Sequence, residues 1–120
     1  MSLAEYKDGI LLIEPLLGAG YFDLPKIVST VRTARPQARF TLEMISRNPL
    51  KVPVLTDRYW APFPDRRGLA LARTLALARS RGWKGPLPDV EQLPHEERLR
   101  VEEVNVSKCL AYASNQLALG

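Results

Sequence analysis

The sequence predicts an α/β fold of about two parallel strands and three helices, and three observations carry that expectation. Gly9 to Leu17 is apolar on both faces, too short for an ordinary helix, and stops at Gly18-Ala19-Gly20, so it reads as a buried strand ending in a tight loop. Arg39 to Ile45 reads as a second apolar strand. Between them Leu24, Ile27, Val28 and Val31 recur at helical spacing, and strand, glycine loop, helix, strand is a βαβ unit whose strands run parallel.

Each element has local signals. Asp23 is placed to cap the first helix, Pro25 sits in its first turn where a missing N–H costs little, and Arg35-Pro36 ends it. From Ser46 to Pro64, the residues Pro49, Pro53, Pro62 and Pro64 surround Tyr59-Trp60, which predicts a long ordered loop without a regular element. Asp65 is the expected cap of a second helix running to about Ser80, with Leu71, Leu75 and Ala78 on one side and Gly82 and Gly85 at its exit. Beyond Pro86-Leu87-Pro88, Pro94 with Glu96 and Glu97 starts a long C-terminal helix, because acidic side chains complement the dipole there. Its expected apolar stripe is Val106, Cys109, Leu110, Ala113 and Leu117. There is no internal repeat. Two parallel strands make a poor sheet alone, so the chain reads as part of something larger.

Composition bounds the function. A chain of 120 residues with 46% hydrophobic and 25% charged content suits one soluble domain. No apolar run is long enough for a membrane span, and the opening Met1-Ser2-Leu3-Ala4-Glu5 lacks a signal-peptide pattern, so a cytoplasmic protein is expected. Single Cys109 and single His95 exclude a disulfide framework and zinc-finger sites. The net charge of +4 permits acidic partners, but the arginines are scattered. A nucleic-acid binder would need Arg66, Arg67, Arg73, Arg79, Arg81 and Lys84 on one face, and a solvated helix face explains that set as well. Nucleic acid is therefore not the expected partner.

The leading candidate residue is Glu43, a carboxylate inside an apolar strand. Strand alternation puts it on one face with Thr41 and Ile45, and burying it would demand a partner. The structural alternative is an ion pair with Arg39, Arg47 or Lys51; the functional one is that the C-terminal ends of parallel strands carry sites. The loop Leu17-Gly18-Ala19-Gly20 exposes backbone N–H groups at a helix start, but lacks both the third glycine of a dinucleotide fingerprint and the Lys-Ser/Thr of a P-loop. Turn geometry is the favoured reason for its glycines. Tyr59-Trp60 reads as a plug against the domain in preference to a sugar-stacking surface. His95 is expected to be exposed, and Cys109 to be a small buried hydrophobe.

Three strings together, Gly18-Ala19-Gly20-Tyr21-Phe22-Asp23-Leu24-Pro25, Phe40-Thr41-Leu42-Glu43-Met44-Ile45 and Asn48-Pro49-Leu50-Lys51-Val52-Pro53, resemble the C-terminal part of sugar phosphate isomerase/epimerase proteins of the xylose-isomerase-like TIM-barrel family. The opening Met1 to Tyr6 is similar to the sequence following that family's His-x-Lys-Asp segment. The resemblance covers most of the chain and implies the C-terminal part of a (β/α)8 barrel: residues 1–64 its last βαβ part with the proline-rich loop, residues 65–120 a helical extension. It also implies that Glu43 is both a ligand of a divalent metal (Mn, Mg, Co or Zn) and a participant in proton transfer next to the carbonyl of a sugar or sugar phosphate. The remaining ligands of such a site have no counterpart here. The expectation is thus a fragment that is inactive and metal-free when isolated. Two alternatives stand beside it: an apurinic-endonuclease-like member of the same fold, and a non-catalytic α/β interaction module that self-associates through exposed strand edges.

Overall fold

The computed structural model describes residues 1–63, 65 and 68–119. Pro64, Arg66 and Arg67, invoked above for the loop and the basic face, lie outside the described residues.

The chain opens with a hairpin. Strands β1 (Ser2–Tyr6) and β2 (Gly9–Ile13) pair antiparallel, with Tyr6 opposite Gly9 and only Lys7-Asp8 between them. Gly9 is required by a close approach, since a Cβ there would stand 2.6 Å from the Val54 backbone N and also collide with the Val52 carbonyl. β2 then pairs antiparallel with β3 (Leu50–Val52), giving the order β1-β2-β3.

This sheet corrects the predicted fold class. All its pairings are antiparallel, and the βαβ unit with parallel strands expected of a TIM-barrel part is not formed. Of the expected strand Gly9 to Leu17 only Gly9–Ile13 forms, the chain leaving the sheet at Glu14-Pro15, and Arg39 to Ile45 forms no strand. The reason is competition for the edges of β2. A hairpin closed by two residues incurs little loop entropy, whereas a parallel neighbour must first close a whole crossover connection. With β1 on one side and β3 on the other, β2 has no free edge for residues 39–45.

The first helix follows its sequence signals. α1 (Leu24–Ala34) is capped by Asp23, whose Oδ1 accepts from the Lys26 N–H at 3.1 Å, and it ends at Arg35 ahead of Pro36. Its stripe is narrower than expected: Val28 is buried, while Ile27 is exposed. The proline-rich segment Ser46 to Pro64, where no regular element was expected, holds β3 and a short helix, α2 (Asp57–Trp60). A single turn fits between Pro53 and Pro62 because neither proline falls inside it.

α3 (Gly68–Arg81) lies against β1. The Arg79 Nε donates to Glu5 Oε1 at 2.9 Å, and the Trp83 N–H just beyond the helix donates to the Leu3 carbonyl at 2.6 Å. The helix is described from Gly68, and the two residues between it and the expected cap Asp65 lie outside the described residues. α4 (His95–Leu117) starts at Pro94 with Glu96 and Glu97 in its first turn and ends at Ala118 in the left-handed conformation, φ 50°. Cys109 and Leu117 are buried as the stripe requires, but Leu110 is 53% exposed.

The main core joins Leu3, Ile10, Val54 and Ala78, with Tyr59, Trp60, Leu71 and Leu75 packed around them. Trp60 is fixed by its indole N–H, which donates to the Val54 carbonyl at 2.7 Å, and by an edge-to-face contact with Tyr59. The pair therefore plugs the sheet. The radius of gyration is 16.9 Å, against about 14 Å for a compact chain of this length. Apolar side chains at Leu55, Phe63, Leu69 and Leu99 are at least half exposed. No described helix is long and apolar enough to cross a membrane.

Candidate functional site

The site grows from the exit of β2. Ile13 is fully buried and pins the strand end, after which Glu14-Pro15 leaves the sheet and the chain turns through Leu16 to Gly20 before α1. Two contacts seat this turn on α4: the Leu17 N–H lies 3.2 Å from Cys109 Sγ, and Gly18, at φ +87°, faces the Tyr112 ring with Cδ2 2.9 Å from where a Cβ would be. Cys109 is thus a buried packing group, 1% exposed, and Gly18 serves a close approach as well as a turn.

Opposite the turn runs the stretch holding Glu43. It forms no ladder, yet exposure alternates along it: Thr41, Glu43 and Ile45 are exposed, while Leu42, Met44 and Ser46 are half-buried. Between stretch and turn lies a cleft of about 180 Å³. Its walls include Glu14, Leu17 and Gly18 on one side, Leu42, Glu43 and Met44 on the other, and Cys109 at the α4 side.

The cleft carries two carboxylates in different states. Glu14 accepts from Arg47 Nε at 2.6 Å, both side chains being a little over one-third exposed. Glu43 has no hydrogen bond or ion pair among the described residues. Of its three expected cationic partners, Arg47 is engaged by Glu14, and Arg39 and Lys51 are exposed without pairing to it. Sequence reasoning missed Glu14 because it was read as part of a continuous apolar strand.

The other candidates stand elsewhere. His95 is exposed at the first residue of α4, and Tyr59-Trp60 pack against the main core. Among the described residues no three His, Cys, Asp or Glu side chains converge to hold a metal ion. A hard divalent cation needs several converging oxygens, and Glu43 offers the one unpaired carboxylate of this cleft, so the described residues do not by themselves fit the implied metal. What the arrangement can do is present one unneutralised carboxylate, flanked by apolar Leu42 and Met44, to a small polar ligand. No protein family, curated protein or solved structure matches the chain.

Proposed function

We propose that this chain supplies one carboxylate-bearing wall to the active site of a divalent-metal-dependent sugar or sugar phosphate isomerase or epimerase, and that it is inactive alone. The observation that carries this reading is the state of Glu43: exposed at a cleft, in an apolar stretch, with one of its candidate cations, Arg47, held by another carboxylate. A glutamate that works on a ligand is left unpaired, because an ion pair would lower its basicity.

In this role the Glu43 carboxylate accepts the proton from the carbon next to the substrate carbonyl, which leaves an enediolate. Isomerisation is completed when Glu43 returns that proton to the former carbonyl carbon and the hydroxyl proton passes to the former carbonyl oxygen; inversion would need a second acid, from outside the described residues, to protonate the original carbon on the opposite face. Among the described residues no further His, Cys, Asp or Glu set converges to hold a metal, so any metal ligands would have to be supplied by residues beyond them.

The test is to read the coding DNA upstream of Met1, express the continuous frame it specifies, and follow metal-dependent exchange of the α-proton of ketoses and ketose phosphates with solvent deuterium. The expected result is an upstream segment rich in Glu, Asp and His and exchange that falls at least ~100-fold in Glu43→Gln, the scale of a lost general base. Full exchange in Glu43→Gln removes Glu43 from the mechanism, and a stop codon close upstream removes the reading.

A second reading is favoured by the open packing and by the exposed Leu69, Leu99, Val104 and Leu110: an interaction module that binds a second copy of itself. Light scattering on the purified chain distinguishes it, with a dimer that Leu99→Lys and Leu110→Glu dissociate as its signature and a monomer at all concentrations as its refutation.

A further inference from the structure

The stretch bearing Glu43 lacks the support that usually orients a functional side chain. Among the described residues, 39–49 make no backbone–backbone hydrogen bond outside the helices and strands, and only Pro49 adjoins a strand. What holds the stretch is a series of side-chain attachments on the C-terminal side of Glu43. Cys109 Sγ lies 3.8 Å from Met44 Sδ, and Asn105 Nδ2 donates to Ser46 Oγ at 3.0 Å. Asn48 accepts from the Val90 and Glu91 N–H groups at 2.6 and 3.2 Å and donates to Asp89. These attach the stretch to α4 and to the link before it.

Among the hydrogen bonds of the described residues, that of Arg47 reaches back to the strand side. Its partner Glu14 stands one residue past fully buried Ile13, just beyond the end of the strand that is paired on both edges, and lines the same cleft as Glu43. The pair therefore ties Glu14, on one wall, to the stretch that carries the other wall, at Arg47, two residues beyond the last cleft-lining residue of that stretch, Ile45. It also consumes the charge of the second carboxylate, leaving Glu43 as the unpaired one.

We propose that Glu14 and Arg47 are positioning residues for Glu43: their charge-assisted bond sets the distance between the two walls and hence where the Glu43 carboxylate stands. This rests on the functional reading of Glu43 given above. It assigns Glu14 a role distinct from a second proton acceptor, since its carboxylate is committed to Arg47. Met44, Ser46 and Asn48 keep the stretch on α4, and Arg47 aims it.

The test uses the purified chain and backbone ¹⁵N relaxation. In the parent protein, residues 41–47 have order parameters near those of the strands, about 0.85. Glu14→Gln and Arg47→Met drop them below about 0.6, with β1 and β2 unchanged, and the charge-exchanged double variant Glu14→Arg/Arg47→Glu restores them. Unchanged order in both single variants, or failure of the exchanged pair to recover it, overturns the proposal. The β1 and β2 signals report whether a variant has simply unfolded; if one has, the exchanged pair decides alone. In the continuous frame, Arg47→Met lowers kcat at least tenfold with KM little changed, and the exchanged pair recovers it. Loss of order without any activity in the parent frame refutes the isomerase reading and leaves the Glu14–Arg47 tie standing, so the two failures are separable.

Discussion

Replacing Gly18 by alanine tests how the cleft is seated on α4. Two separate costs follow from the geometry. The φ of +87° is one that a residue with a Cβ adopts at about 1–2 kcal/mol. The new methyl would also sit within 2.9 Å of Tyr112 Cδ2, with two further ring atoms closer still, where carbon atoms prefer 3.5–4.0 Å. The ring must retreat by roughly an ångström, and such overpacking costs about 1–3 kcal/mol. The sum, about 2–5 kcal/mol, is a large part of the 5–15 kcal/mol typical of a folded domain. Urea unfolding followed by tryptophan fluorescence and circular dichroism measures it. The two costs separate in a double-mutant cycle with Tyr112→Ala, which removes the ring and leaves the backbone unchanged. Gly18→Ala should then cost only the conformational part, giving a coupling of about 1–3 kcal/mol between the sites. A loss below about 0.5 kcal/mol in the parent protein, or an equal loss in both backgrounds, refutes the close approach of turn and ring.

Two further substitutions act in opposite directions. Ala118→Gly should stabilise the chain by roughly 0.5–1 kcal/mol, because Ala118 ends α4 in a left-handed conformation that glycine adopts without penalty; an unchanged or lowered urea midpoint contradicts that end of the helix. Trp60→Phe keeps an aromatic ring in the plug but leaves the Val54 carbonyl without its indole donor, a loss of about 1–3 kcal/mol by the same assay; a neutral result denies that bond.

How much of this was legible in the sequence depended on how local the deciding interaction is. α1 was readable to within a residue because Asp23, Pro25 and Pro36 act on adjacent backbone. The start of α4 was readable for the same reason, from Pro94 and the glutamates of its first turn. The β1–β2 hairpin was missed although Asp8-Gly9 is a turn dipeptide, because Glu5, Lys7 and Asp8 broke up the apolar pattern that marks a strand. The placement of residues 39–45 went wrong at a longer range. Their composition suits a strand, but a strand exists only with a neighbour, and the neighbour's edges were taken by β1 and β3. Glu43 stood out by its context alone. The Arg47–Glu14 bond links residues 33 positions apart, and nothing in either residue's surroundings names the other.

The proline-flanked β3 has a consequence for behaviour in concentrated solution. Pro49 and Pro53 bracket its three residues, so the flanks of this sheet edge have no N–H to offer an incoming strand. On the other side, the Leu3 carbonyl of β1 is already satisfied by Trp83, and α3 lies alongside. A stacked ribbon of chains, growing rung by rung, would find too few rungs at either end to propagate. Whatever sticks two of these molecules together must therefore grip side chains, and a fibril-specific dye should stay dark while they do.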